Sequence, residues 1–301
     1  MPNIYVTQLE SMEQDSLKDF KELKATDKIS FVQHPLLHTS EIKALLKQLS
    51  DLNSSNFLQM PDTGKNFYTR CLLTKVRVSA DQYSKVHDVL NAAKNILLEF
   101  FSHQAHVAST AHLFVENTNT TRAYSLWCPS LKNIIEQPLP VIVLSDKIVQ
   151  LLDEKELEAV LLHELAHIMF CHSKNMCGMR MLSAILTDGS PEAETLAQTK
   201  IGNCHELATG FELTADRVML LCMFADWNSI LSMFLKLAGG IIGEQCNTEC
   251  FLKQFSELDI QISNIILEVD ESKDPHPPIA LRILQLQEFQ KTLKENYTNF
   301  Q

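Results

Sequence analysis

Apolar residues recur at three- and four-residue spacing in two stretches of the N-terminal third of the chain, which is the period of an amphipathic helix. The spacing predicts helices over Glu41–Leu49 and Ala80–Phe101. The period then changes, and short runs rich in β-forming residues alternate with Asn, Thr and Pro. These runs predict the strands of a small sheet, namely His112–Val115, Ala123–Trp127 and Val141–Leu144.

A helix with a well-defined beginning is expected directly after the sheet. Asp153 and Glu156 stand at the spacing of a capping box, in which each side chain bonds the backbone N–H group of the other residue. An apolar stripe then follows at helical spacing. The pattern predicts a helix that runs from Asp153 to about Cys171.

Three more helices are expected further along the chain. The polar segment Thr187–Gln198 predicts a surface excursion, and a helix containing Glu212–Met223 follows it. The segment Val218–Ile242 is apolar over about the length of a membrane span, but charged and polar residues around Asp226 interrupt it. We interpret it as two buried helices joined by a turn. The last helix is predicted for Ile279–Leu293.

The composition is that of a folded chain with a sizeable core, since 45% of the 301 residues are hydrophobic. Predicted helices combined with one small sheet give the fold class α+β, predominantly helical. We divide the chain into a helical N-terminal region, residues 1–105, and a catalytic domain, residues 106–301.

The charge and the cysteines restrict the partners and the compartment. The chain has 26 Lys and Arg against 37 Asp and Glu, a net charge of −11, which repels nucleic acids and anionic lipid surfaces. The N-terminus lacks a basic stretch followed by an apolar run, so no secretory signal is predicted. Eight scattered cysteines without a CxxC pair fit reduced thiols. We therefore expect a soluble cytoplasmic protein without an integral membrane span.

The segment His163-Glu164-Leu165-Ala166-His167 has the form HExxH and lies inside the capped helix. Residues four apart share one helix face, so both imidazoles can bind the same zinc ion. Glu164 could act as the general base toward the attacking water. The motif also occurs by chance, but its position on a capped helix after a strand, with apolar residues around it, favours a metal site.

A catalytic zinc ion needs a third protein ligand and an open position for water. The extended pattern HExxHxxGxxH is excluded, because Phe170 and Ser173 stand where it requires Gly and His. Glu212 and Asp216 share one face of the next predicted helix, and after an HExxH motif we expect Glu212 to complete the ligand set. Asp216 could then accept the second ring N–H of a liganding histidine.

Other interpretations of these acids remain open. Both could face solvent, with Arg217 as a surface ion-pair partner of Asp216. His205, followed by Glu206, competes with Glu212 as the source of the third ligand.

Two further groups near these segments are expected to have no role at the metal. His172 would point away from the metal if the helix continues past His167, which makes it an ordinary surface or core histidine. Cys246 and Cys250 have the spacing of metal ligands on a helix, but no cluster of partners lies near them in the sequence.

Three motifs occur in one order: HELAH at 163–167, ELTAD at 212–216 and HPPIALR at 276–282. Together they resemble the CAAX-prenyl-protease/HtpX-like family of gluzincin zinc metallopeptidases. The resemblance includes the strand and helix before the first motif and covers about residues 111–286. It implies a gluzincin-type zincin, in which a small sheet packs on the HExxH helix and a second helix carries the glutamate ligand.

The resemblance also implies one Zn²⁺ ion per chain and a role for each matching residue. The implied zinc ligands are His163, His167 and Glu212. Glu164 is implied as the general base and Asp216 as the partner of a liganding histidine. His276 is implied to stabilise the transition state, and Arg282 to orient this imidazole or a ligand carboxylate.

We therefore predict a zinc-dependent endopeptidase that acts on protein or peptide substrates. Many relatives are embedded in membranes, whereas this chain shows no convincing span. Relatives also often carry Asn-Ala in the strand that lines the cleft, where this chain has Arg122-Ala123-Tyr124, so we expect its substrate preference to differ there.

Two alternatives to an active peptidase stay open. The first is a zinc-binding pseudoprotease or adaptor whose site is latent and blocked by the N-terminal region. The second is regulation of another protein through Met1–Ala105, with the peptidase fold as a scaffold.

Overall fold

The computed structural model describes residues 24–47, 65–128, 139–172, 191–256 and 276–298. Within these ranges the chain is mostly helical and has one small mixed sheet. The predicted class, α+β and predominantly helical, is confirmed.

The helices follow one another along the chain with few interruptions. They are α1 (Ala25–Val32), α2 (Lys65–Thr74), α3 (Ser84–Ser109), α4 (Asp146–Leu151), α5 (Glu154–Met169), α6 (Pro191–Cys222), α7 (Trp227–Gly239), α8 (Thr248–Ser256) and α9 (Ile279–Thr298). Residues 40–47 are also helical, as predicted for Glu41–Leu49, whose last two residues lie outside the described ranges. Short 3₁₀ helices cover Pro35–His38, Phe224–Asp226 and Gly240–Gln245.

The sheet has four strands in the order β1-β2-β4-β3. They are β1 (Val76–Arg77), β2 (His112–Glu116), β3 (Ala123–Cys128) and β4 (Leu139–Ser145). The neighbours β2 and β4 are parallel, and the other two pairs are antiparallel. Three strands lie where runs rich in β-forming residues predicted them, whereas β1 has only two residues and is too short to form such a run. The strand β3 forms one edge of the sheet.

The long helix α3 differs from the predicted Ala80–Phe101 at both ends. It continues to Ser109 past a break at Ser102, whose φ of 34° and ψ of −101° are not helical. The Lys28 ammonium of α1 donates to the carbonyl oxygen of Phe100 at 3.0 Å beside this break. A side chain 72 residues away therefore contributes to the shape of α3, and local spacing carries no trace of it.

The helix α5 begins with the predicted capping box. The Asp153 side chain accepts from the N–H group of Glu156 at 2.9 Å, and the Glu156 carboxylate accepts from the N–H group of Asp153 at 2.8 Å. Glu156 is buried and also accepts from the Lys236 ammonium at 2.9 Å, which ties the start of α5 to α7. The helix packs against α3, α6, α7 and β3. It therefore lies in the centre of the molecule.

The apolar segment Val218–Ile242 forms parts of two helices, as predicted, because α6 ends at Cys222 and α7 begins at Trp227. Among the described residues, no single helix meets the length and hydropathy expected of a membrane span. One pair does so jointly, Glu206–Cys222 with Phe224–Gly243, and it is bent by 99°.

The expected surface excursion over Thr187–Gln198 is wrong for residues 191–198, which belong to α6. Pro191 is well suited to the first helical position, and the Glu, Ala and Gln residues after it are good helix formers. The polar composition of this segment is therefore compatible with a helix as well as with a loop. Residues 187–190 lie outside the described ranges. The C-terminal helix α9 begins at the predicted Ile279 and packs against α6. The division of the chain at residue 105 stays a prediction.

Candidate metal centre

His163 and His167 lie one turn apart on α5, and both are buried. Their Nε2 atoms are 3.0 Å apart, and the two rings meet edge to face. The i, i+4 spacing on one helix places both nitrogens at the same point, as the HExxH pattern predicted.

Glu212 approaches this point from α6. Its Oε2 atom lies 3.3 Å from Nε2 of His163, and its Oε1 atom lies 3.3 Å from Nε2 of His167. The potential ligand atoms of the three residues all lie within 4.8 Å of one another. Two imidazoles and one carboxylate are the protein ligands of many catalytic zinc sites.

Asp216 lies one turn beyond Glu212 and is fully buried. Its Oδ1 atom is 2.9 Å from Nδ1 of His163. The guanidinium of Arg282, from α9, donates to both carboxylate oxygens of Asp216, at 2.6 and 2.8 Å. Burial raises the pKa of Asp216, but the charge and hydrogen bonds of Arg282 outweigh this effect and lower the pKa to about 2. Asp216 therefore stays a carboxylate and fixes the ring of His163.

The hydrogen bond at Nδ1 of His163 and the charges of the cluster show whether a cation fits between the three side chains. Asp216 accepts the proton at Nδ1 of His163, so the Nε2 atom of this ring, which faces Glu212, is the nitrogen that a cation would bind in place of a proton. The pKa of Glu212 lies well below its usual value, because the positive charges of His276 and His167 oppose the effect of burial. Burial lowers the pKa of His163, whereas its bonds to Asp216 and Glu212 raise it to about 9. The cluster attracts positive charge, and its nitrogen and oxygen donors fit a zinc ion.

His276 stands just before α9 and approaches the same carboxylate. Its Nδ1 atom lies 2.8 Å from Oε2 of Glu212, and its side chain is 39% exposed. The negative charge of Glu212 raises the pKa of His276, although burial opposes this. The imidazole therefore lies beside the expected ligand cluster and reaches solvent.

Glu164 is buried and lines a cavity of about 870 Å³ beside the cluster. The cavity also reaches the start of the edge strand β3, and its wall contains Arg122, Ala123, Tyr124, His163, His276 and Arg282. The general base predicted from the sequence thus shares one cleft with a predicted ligand and with the strand expected to line the cleft.

His172 is a residue of this site that sequence reasoning missed. The helix α5 ends at Met169, and Cys171 has a left-handed φ of 55°, so the chain turns back. The Nδ1 atom of His172 then lies 2.9 Å from Nδ1 of His167. Burial and the positive charge of His167 hold the pKa of His172 well below its usual value. The prediction assumed a continuing helix, and no Gly or Pro signals its end.

The structure tests the first alternative interpretation of the acids, solvent exposure, but not the second, His205 as the third ligand. Solvent exposure is wrong for Asp216, which is buried, and Arg217 instead donates to the backbone carbonyl of Gln33 at 3.1 Å. Glu206 is exposed, and the side chain of His205 lies outside the described part of the structure.

The two cysteines that have the spacing of metal ligands on a helix are exposed. Cys246 and Cys250 belong to no group of three potential ligands among the described residues.

Comparisons with known proteins add to this geometry. Residues 137–290 match the sequence model of Peptidase family M48. The chain is similar to the plastoglobule-localized metallopeptidase 48, chloroplastic, of Arabidopsis thaliana, with 28% identity over 282 residues, which cover 91% of this chain and 75% of that protein. No solved structure matches the chain.

Proposed function

We propose that this chain, which belongs to peptidase family M48, is a zinc-dependent endopeptidase acting on protein or peptide substrates. Its family membership confirms the resemblance inferred from its three motifs. One observation carries the proposal: His163, His167 and Glu212 place their ligand atoms within 4.8 Å of one another. The cleft beside them contains Glu164 as a candidate base.

The three ligand residues would hold one Zn²⁺ ion, with the histidines binding through Nε2. When bound, zinc supplies the Lewis acidity that a peptide carbonyl needs for attack by water. Glu164 takes a proton from the attacking water and delivers it to the leaving amine. No covalent intermediate with the protein is required.

His276 and the pair Asp216–Arg282 have supporting roles in this proposal. The His276 imidazole donates an N–H hydrogen bond to the oxyanion that develops on the substrate carbonyl. Asp216 holds His163 in one tautomer and one orientation, and Arg282 holds Asp216. Arg282 thus acts through a carboxylate behind a ligand rather than on the ligand carboxylate itself.

The experiment that tests the proposal combines metal analysis with a peptide-cleavage screen of the wild type and Glu164→Gln. We expect zinc in both proteins and cleavage in the wild type alone. Glu158→Gln is the matched control, because Glu158 is buried on the same helix but bonds Lys155 and does not line the cleft. Equal cleavage rates for Glu164→Gln and the wild type would show that Glu164 is not the base.

The same experiment separates the peptidase from a zinc-binding adaptor or pseudoprotease. An adaptor would retain zinc in all three proteins and cleave no peptide in any of them. The presence of Glu164 in the cleft favours the peptidase. The cytoplasmic location stays a prediction.

A further inference from the structure

Arg122 is a cation in the cleft wall, at the residue directly before the edge strand β3. It lines the same cavity as His163 and Glu164, and its side chain is 51% exposed. The other guanidinium in this wall, that of Arg282, is almost fully buried and bonded to both oxygens of Asp216. Among the described residues of the wall, Arg122 therefore presents the accessible guanidinium.

The Arg122 side chain is held in place from behind. Its Nε and Nη2 atoms each lie 2.7 Å from Oε1 of Glu116, which is only 8% exposed. The guanidinium also lies over the Tyr124 ring, with 5.5 Å between Cζ and the ring centroid. A side chain ordered before binding loses less conformational entropy when it meets a ligand.

The backbone of Arg122 is fixed as well. Its N–H group donates to the Ser145 hydroxyl at 3.1 Å, and its carbonyl accepts from the Ser145 N–H group at 2.9 Å. Ser145 ends the central strand β4, so the sheet itself sets the position of Arg122.

The charge around Glu116 is positive overall. Glu116 also forms an ion pair with Lys75, so one carboxylate faces two cations. Burial raises the pKa of Glu116, but the bonds from Lys75 and Arg122 outweigh it and lower the pKa, which keeps Glu116 ionised at neutral pH. Lys75 is 13% exposed, so the excess positive charge reaches solvent mainly through Arg122.

The hydrogen-bonding capacity of Arg122 is also incomplete. A guanidinium has five N–H donors in a planar fork, and the fork pairs best with carboxylates. Glu116 accepts hydrogen bonds from Nε and Nη2 of Arg122. Within the described part of the chain, no partner accepts from Nη1. Because Arg122 lines the cleft, a second carboxylate bound there can therefore pair with it.

We propose that Arg122 is a specificity-determining residue that selects substrates with a carboxylate beside the start of β3. The carboxylate is either an Asp or Glu side chain of the peptide or its C-terminal group. The inference rests on the proposed peptidase activity, because it names a substrate class for the same cleft.

The test uses the zinc-loaded full-length chain and a proteome-derived peptide library. The best-cleaved peptide is then compared with versions in which an acidic residue is amidated to Asn or Gln, and in which the C-terminus is amidated. We expect one of the two amidations to lower kcat/KM for the wild type by about fivefold, the size of a partly exposed ion pair. The amidation that matters identifies the source of the carboxylate.

Arg122→Gln should abolish this discrimination, and Arg122→Lys should retain part of it. Lys75→Gln is the matched control, since it removes the same charge from Glu116 but leaves the cation of the cleft wall. Thermal unfolding of each variant confirms that it folds.

Discrimination that persists in Arg122→Gln, or that is lost equally in Lys75→Gln, would overturn the inference. A wild type that cleaves peptides without regard to either carboxylate would also overturn it and would leave the proposed peptidase intact. A zinc-loaded wild type that cleaves no peptide would overturn both.

Discussion

The Nδ1 atom of His172 lies 2.9 Å from the Nδ1 atom of His167. Because His167 directs Nε2 toward Glu212, a neutral ring that binds metal carries its proton on Nδ1 and donates it to His172. The His172 ring stacks on Phe211, with 4.1 Å between centroids, and on Phe170 at 5.5 Å. The hydrogen-bond acceptor for Nδ1 of His167 is thus the neutral His172 ring, which is held between two aromatic rings. The corresponding acceptor for His163 is the carboxylate of Asp216.

Replacing His172 with Phe should weaken zinc binding and leave the fold intact. The substitution keeps an aromatic ring between Phe170 and Phe211 but removes the acceptor that orients His167, and loss of such a partner typically lowers metal affinity by about 10- to 100-fold. Competition with a chromophoric chelator measures the zinc affinity, and thermal unfolding of the metal-free protein measures the fold.

The control for this variant is His112→Phe. His112 begins strand β2, contacts Tyr68 of α2 and lies outside the ligand cluster, so its replacement should leave zinc affinity unchanged. His172→Gln, which retains an acceptor oxygen, should recover part of the affinity. Wild-type affinity in His172→Phe would mean that His172 only fills space.

Asp216→Asn should destabilise the protein and weaken zinc binding together. The amide removes the charge that balances the buried Arg282, and breaking a buried pair of this kind costs about 3–5 kcal/mol. It also weakens the acceptor behind His163. Urea unfolding of the metal-free protein measures the stability, and an unchanged unfolding free energy would contradict the role of the pair.

Within the pairs His163–His167 and Glu212–Asp216 the relation is local and could be predicted, whereas the meeting of the two pairs on separate helices was inferred from the order of the motifs. HExxH and ExxxD each place two side chains on one helix face, whatever the rest of the fold does. The contact of Arg282 with Asp216 joins residues 66 apart, and no local period encodes such a distance. The motif resemblance pointed to Arg282 but not to the carboxylate that it holds.

The elements of the fold divide in the same way. The strand pattern predicted β2, β3 and β4, and the capping box predicted the start of α5, because both signals are periodic or local. The left-handed turn at Cys171 after α5, the break at Ser102 and the helical start of α6 were not predicted. The first two depend on tertiary packing. The third depends on polar residues that are compatible with a helix as well as with a loop.

Glu156→Gln should lower the unfolding free energy by about 3 kcal/mol, because it deprives the buried Lys236 ammonium of this carboxylate. The amide oxygen can still accept from the N–H group of Asp153, so the helix start itself should persist. Glu154→Gln, at an exposed position in the same first turn, is the control and should change stability by less than about 0.5 kcal/mol. Equal effects of the two variants on urea unfolding would contradict the importance of the α5–α7 ion pair.

The stability of the protein should fall between pH 6.5 and 4 through His34. This buried ring accepts from the N–H group of Leu36 at Nδ1 and bonds Gln285 through Nε2, so the folded state holds it neutral. Burial and the charge of Arg217 lower its pKa from 6.5 to about 4. The unfolded state therefore binds a proton at higher pH than the folded state does. The contribution of the neutral ring is complete above pH 6.5 and is lost as the pH falls toward 4, by up to about 3 kcal/mol.

The difference in unfolding free energy between the wild type and His34→Gln isolates this effect, because other titrating groups are common to both proteins. Glutamine retains polar atoms for Leu36 and Gln285 but cannot be protonated in this range. Urea unfolding at pH 7.5, 6.5, 5.5 and 4.5 should show the wild type losing stability relative to the variant at each step below pH 6.5. A constant difference across the series would mean that His34 has the same pKa in the folded and unfolded chains, and that its burial does not control acid stability.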